Sequence, residues 1–246
     1  MPSRSKVSGA CALFVLCGRV DITGAEAFLL GVLAYIIRSY AESTCIDAGQ
    51  KHEWATVKNG ELYVGSIGKE FTSDGEIVHE NNMWVAIVGL NGAVRHQNWS
   101  SYYAKIRTKL GCSYPGYVIH EAIEWSAIHN KWFVLPRRVS TEPYDDMADE
   151  KRGSNIMLIA SEDFEDIQVV YIGDSIIAKE RGFSSFKFIP GTKDMVILAL
   201  KSMENEALSL QGAYVTVFDV TGKILMPETP LPGQYKFEGL AFLYDY

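Results

Sequence analysis

The chain has 246 residues, 48% of them hydrophobic, and a formal net charge of −7. That length allows one large all-β domain or two small ones, and the hydrophobic share supplies a sizeable core. No basic block stands out, which argues against a nucleic-acid surface. Frequent glycine, at 21 residues, and 12% aromatics suit β structure with many turns.

Residues 1–50 differ from the rest. Arg4 and Lys6 precede a short apolar run at 10–17, the size of a signal-peptide core. A second run, 25–37, holds good helix formers (Ala25, Glu26, Ala27, Leu29, Leu30) and predicts a helix rather than strands. Neither run reaches the ~20 apolar residues that a membrane span needs. The segment reads either as a signal sequence or as a stretch foreign to the fold. The cysteines, Cys11, Cys17, Cys45 and Cys112, include no CxxC pair, so structural zinc is not expected.

From Lys51 the pattern turns regular. Strands are expected at 53–57 and 61–66 around the Asn59-Gly60 turn, and at 83–89 and 93–96 around Asn91-Gly92. Asn98-Trp99-Ser100 matches a glycosylation sequon. Ser100 is placed to cap a short helix with Tyr103, Ile106 and Leu110 on one face, ended by Gly111. Residues 116–138 read as a hairpin. On its first strand Ile119, Glu121, Ile123 and Trp125 should share a face, with His120 and Glu124 on the other. The acidic stretch 141–154 lacks EF-hand spacing and reads as solvated surface. Further strands are expected at 155–160, 167–172, 184–189, 195–201, 213–219, 223–226 and 236–242. Many short strands at even spacing suggest a sandwich, a barrel or a propeller.

Several polar residues fall on apolar strand faces, and four of them, which periodicity alone does not single out, are selected by the resemblance described below. Glu53 alternates with Ala55 and Val57, Glu121 with Ile119 and Ile123, Ser184 with Phe186 and Phe188, and Glu238 with Leu240 and Phe242. A carboxylate there is costly unless paired, hydrogen-bonded or bound to a metal. The intervals are 68, 63 and 54 residues, each long enough for a four-stranded sheet with loops. A propeller would bring such first strands to one axis, where three carboxylates repel unless a hard cation such as Ca²⁺ joins them. The plainer alternative for Glu121 is a structural ion pair with the basic end of the hairpin, Arg137 and Arg138.

Residues 51–246 resemble the soluble calcium-activated nucleotidase family, the Ca²⁺-dependent apyrases. The resemblance is carried by KHEWATVKNGELYVGSIGKEFT, GYVIHEAIEW, KWFVLPRR, DEKRGSN, GFSSFKFIPGT, ILALKS, LMPET and KFEGLAF, in that order. It implies a five-bladed β-propeller with Ca²⁺ on its axis, held by Glu53, Glu121, the Ser184 carbonyl and Glu238. It implies hydrolysis of nucleoside di- and triphosphates such as UDP, GDP or ADP in the secretory pathway. Arg137 and Lys201 match basic positions at the family's active cleft, where cations stabilise developing phosphate charge. The plain alternatives are a surface ion pair for Arg137 and a snorkelling side chain for Lys201. The implied partners are a nucleotide and no nucleic acid, with a homodimer left open. The family's first blade, with an IADLD-like acidic strand that supplies a catalytic aspartate and an SDL-like calcium ligand, has no counterpart in residues 1–50. About four blades' worth of chain is therefore expected at 51–246, and a calcium-binding propeller without turnover is the alternative to an enzyme.

Overall fold

The computed structural model describes residues 52–73, 75–173 and 178–242. The apolar runs of the N-terminal segment, and the expectations attached to them, lie outside the described residues. What is described is mostly β, in antiparallel sheets, none of them closed on itself.

Three sheets of four strands follow one another along the chain. The first contains β1 (Trp54–Lys58), β2 (Glu61–Gly65), β5 (Trp84–Val88) and β6 (Val94–Asn98), in that spatial order. Between β2 and β5 a small two-stranded ribbon, β3 (Phe71–Ser73) with β4 (Glu76–His79), branches off. The second sheet runs β7 (Tyr117–Ser126), β8 (Lys131–Ser140), β9 (Ile156–Ala160), β10 (Ile167–Tyr171). The third runs β11 (Arg181–Phe188), β12 (Val196–Asn205), β13 (Leu210–Asp219), β14 (Ile224–Pro230). The first strands of the sheets are neighbours: β1 packs against β7, and β7 against β11.

Local chemistry explains the turns. Asn59 and Gly60 both take positive φ (54° and 79°), as a two-residue hairpin turn of the primed type requires. Helix α1 (Ser100–Leu110) buries Tyr103, Ile106 and Arg107 and stops at Gly111, whose φ of 69° is left-handed. Its expected cap is corrected: Ser100 is the first helical residue, and its N–H donates to the Asn98 side chain (2.8 Å).

The second sheet is buried on both faces. Toward the first sheet, Trp132, Val134, Leu158 and Ala160 join Trp54, Tyr63, Ile87, Trp99 and Tyr103 in one core. Toward the third, Phe133, Leu135, Met157 and Ile159 join Phe183, Phe186, Ile197 and Phe218 in another. This is why KWFVL is apolar without alternation: each successive side chain enters a different core.

Residues 236–242, expected as a strand, join none of the sheets. Phe237 instead offers its carbonyl to the Ser184 hydroxyl at 3.0 Å.

Candidate functional site

Three hydrogen bonds set the level of the first strands relative to one another. Thr56 Oγ1 on β1 donates to Glu124 Oε2 on β7 (2.6 Å) and accepts from Trp125 N (3.1 Å). Lys187 on β11 donates to Glu124 Oε1. Thr56, Glu124 and Lys187 are separated by 68 and 63 residues, the same intervals that separate Glu53, Glu121 and Ser184. The latter three lie three residues earlier on the same chain segments, with Glu53 just ahead of β1, and make up a second level in sequence. The Ser184–Phe237 contact brings the fourth candidate, Glu238, to the neighbourhood of Ser184.

Two of these positions break their ladders. On β7 the pairing passes from His120↔Pro136 to Ile123↔Val134, so Glu121 and Ala122 stand against the single residue Leu135. On β11 the pairing jumps from Phe183↔Lys201 to Ser185↔Leu200, leaving Ser184 out. Such bulges re-aim side chains and free backbone groups, and they concentrate beside functional sites. They also correct the expected alternation. Val118, Ile123 and Trp125 enter one core although 118 and 123 are an odd number apart, and so do Phe183 and Phe186. Glu121 does not sit on a single apolar face with Ile119 and Ile123, and His120 on the supposed opposite face is fully buried.

Glu121 Oε2 lies 3.0 Å from Arg137 Nη1, which also donates to Ser202 Oγ (2.6 Å). Glu238 Oε1 lies 2.9 Å from Lys236 Nζ, which also contacts Glu204 (3.0 Å). Among the described residues no three or more His, Cys, Asp or Glu side chains gather as a metal cluster. The donor chemistry nevertheless fits a hard cation: three carboxylates, and a serine carbonyl at a bulge, are the oxygen ligands Ca²⁺ prefers. Both basic partners keep a second anchor, Ser202 for Arg137 and Glu204 for Lys236.

Arg137 is buried rather than on the surface. Gly182 makes room for it: a Cβ there would lie 2.6 Å from Arg137 Cγ and 2.8 Å from Arg138 Nη1. Lys201 does not snorkel. It is 2% exposed, over the Phe183 ring, with its ammonium on Asn155 Oδ1 and Glu228 Oε1. Burial pulls the Lys201 pKa down and Glu228 opposes it. Burial pushes the Glu228 carboxyl up, yet Lys201 and Arg181 together hold it below the usual carboxylate value. Ser202, beside Lys201 on β12, carries Arg137, so both cations are anchored at adjacent positions of one strand.

The acidic stretch is solvated over 141–147, as expected, and is corrected only at its inward-turning end. Asp145 caps a one-turn helix, α2 (Asp146–Asp149). Asp149 turns inward, accepting from Tyr117 Oη (2.5 Å) and lying 3.5 Å from Arg138 Nε. Glu228, and the pairing roles of Glu124 and Asp149, escaped the sequence reading because nothing local marks a carboxylate whose partner lies tens of residues away.

The apyrase family model matches residues 32–243. Apyrase apy-1 of Caenorhabditis elegans is 48% identical over 195 residues, covering 79% of this chain and 54% of that protein. Soluble calcium-activated nucleotidase 1 of Rattus norvegicus is 46% identical, covering 80% of this chain and 48% of its own length. An apyrase of Cimex lectularius is 43% identical, covering 79% and 53%. The chain belongs to the apyrase family. It spans about half the length of the curated relatives it matches.

Proposed function

We propose that this chain carries the calcium-dependent nucleotidase site of its family, acting on nucleoside di- and triphosphates such as UDP, GDP or ADP and releasing phosphate. The observation that supports this most is that Thr56, Glu124 and Lys187 tie the adjoining strands together three residues past Glu53, Glu121 and Ser184, with bulges at the last two. Glu53, Glu121, the Ser184 carbonyl and Glu238 would hold Ca²⁺. Bound there, Ca²⁺ supplies charge neutralisation and a Lewis-acid hold on phosphate oxygens. Arg137 is the guanidinium next to that level, and two N–H groups in a fixed plane suit a phosphate. Lys201 adds a buried ammonium, whose field is weakly screened by water. Both stabilise charge that develops on the transferred phosphoryl group.

The fold that goes with this reading is a five-bladed propeller. The three four-stranded meanders would be blades, with β1, β7 and β11 innermost. Residues 236–242 would be the inner strand of a further blade, which explains an extended segment outside the sheets. The name of the rat relative says soluble, and no described helix is long and apolar enough to cross a membrane. The secretory pathway is the compartment we propose, and a homodimer remains part of the proposal. A second reading, a calcium-binding propeller without turnover, is favoured by one observation: no IADLD-like acidic strand occurs in the 246 residues.

The deciding experiment is phosphate release from UDP with Ca²⁺ and with EDTA, run beside calcium titration calorimetry. Calcium-dependent release supports the nucleotidase. Release that ignores chelation overturns the calcium site, and calcium binding without release selects the second reading.

A further inference from the structure

The third sheet carries a side-chain cluster beside Lys201 that the phosphate chemistry does not use. The Arg181 guanidinium carbon lies 3.7 Å from the centre of the Tyr214 ring. That is face-to-face stacking distance for a guanidinium on an aromatic ring. Arg181 Nη1 is fixed by Glu228 Oε2 at 3.0 Å, and the other oxygen of the same carboxylate takes Lys201 Nζ. One carboxylate therefore ties Arg181 to Lys201. The ladder agrees, since Lys201 on β12 faces Tyr214 on β13, which faces Pro230 on β14.

Tyr214 covers one face of the guanidinium, yet the Arg181 side chain remains 26% exposed. Its Nε is buried and has no hydrogen-bond partner. The part of the guanidinium that stays exposed can take a planar heteroaromatic ligand in the same stacking mode. We infer that Arg181 and Tyr214 form the platform on which the nucleobase of a nucleoside polyphosphate stacks. The phosphate end would then lie toward Lys201 and Arg137. This rests on the nucleotide reading above and adds to it the place where the base is held. Stacking accepts every base, because each has a π-face, so the platform would add affinity for the nucleoside without selecting one base.

The test compares UDP with inorganic pyrophosphate, which keeps the diphosphate and lacks the base. Dissociation constants are measured by calorimetry on the full chain with Ca²⁺ present, for the unchanged protein, Tyr214→Leu and Tyr214→Phe. Stacking of one base is typically worth roughly tenfold or more in affinity. The unchanged protein should therefore bind UDP about tenfold more tightly than pyrophosphate. Tyr214→Leu should erase that advantage with pyrophosphate affinity unchanged, and Tyr214→Phe should keep it. Equal affinities in the unchanged protein overturn the platform while leaving the nucleotide reading intact. So does a Tyr214→Leu variant that retains the UDP advantage. An equal fall for both ligands in Tyr214→Leu also overturns it, since the residue would then act on the fold or the phosphate end. Binding of neither ligand by the unchanged protein overturns the nucleotide reading itself, and the platform with it.

Discussion

Two levels of the same three strands handle their charge in opposite ways. At Thr56, Glu124 and Lys187 the carboxylate is satisfied across the strands: one oxygen takes the threonine, the other the lysine. Three residues earlier, at Glu53, Glu121 and Ser184, two of the strands leave their ladders. Glu121 is met by an arginine that also bonds Ser202. The first level closes on itself and joins three sheets. The second, in the function proposed above, supplies oxygen donors, and the basic partners of two of them have alternatives. A carboxylate bound within its own scaffold contributes structure, and one with an exchangeable partner is available to a ligand.

The largest expected effect falls on the exchangeable partner. If Arg137 meets phosphate in the transition state, Arg137→His should lower kcat/KM for UDP by roughly 10²-fold. Calcium affinity should hold or rise, because Glu121 loses a competing cation. Unchanged kinetics with a lowered melting temperature would return Arg137 to the scaffold and blur the contrast between the levels.

Next comes Glu121→Gln, which keeps the shape and removes one charge. Calcium affinity should fall by well over tenfold, and the stabilisation that calcium gives against heat should shrink with it. Titration calorimetry and melting with and without Ca²⁺ read both. Unchanged affinity would show Glu121 to be a structural carboxylate.

A smaller effect is expected at a carboxylate that belongs wholly to the scaffold. Glu70 receives both Nη groups of Arg107 on α1, each at 2.8 Å. Burial pushes the Glu70 carboxyl up, but Arg107 and Lys69 outweigh it, and the net displacement is below the ordinary 4.5. A carboxyl held low in the fold adds stability above its unfolded value and loses it as pH falls through the folded one. Glu70→Gln should thus cost about 1–3 kcal/mol near pH 7. The gap between variant and parent melting temperatures should close as pH drops below 4.5. A gap that is constant with pH would assign the cost to shape and not to charge.

How much of this was legible depends on range. The Asn59-Gly60 turn, the stop at Gly111 and the long hairpin of β7 and β8 follow from short-range chemistry, and the sequence marks them plainly. The β3–β4 ribbon escaped because it has no inward face: Phe71, Ile77 and Val78 are all exposed, so its apolar residues carry no alternation to read. The candidate ligands were selected by the family resemblance; the pattern of polar types among apolar ones agreed with it but did not single them out, and their geometry was not legible. Face assignment assumes a strict two-residue period, and the bulges at Glu121 and Ser184 each insert the residue that breaks it. The Lys201–Glu228–Arg181 network was out of reach for another reason. It joins three strands of one sheet through side chains 27 and 47 residues apart, and strand patterns carry no information on which long side chains meet.

The smallest effect completes the contrast. Glu124→Gln preserves the side-chain shape at the closed level. It removes the charge that meets Lys187, whose side chain is one-third exposed, and turns one acceptor into a donor facing Thr56 or Lys187. Solvent screens part of the ion pair, so the loss should be about 1 kcal/mol. That is a fall of ~2–4 °C in melting temperature for a chain of this size. Calcium affinity should stay within about a factor of two, since the closed level offers no spare oxygen. The measurement is sharp because Glu121 and Glu124 lie on one strand, three residues apart, with the same side chain. A fall in calcium affinity as deep as that of Glu121→Gln would mean that the cation is held at the Glu124 level. The hydrogen bonds to Thr56 and Lys187 would then be the exchangeable ones, and the bulges at Glu121 and Ser184 would serve only to bend their strands.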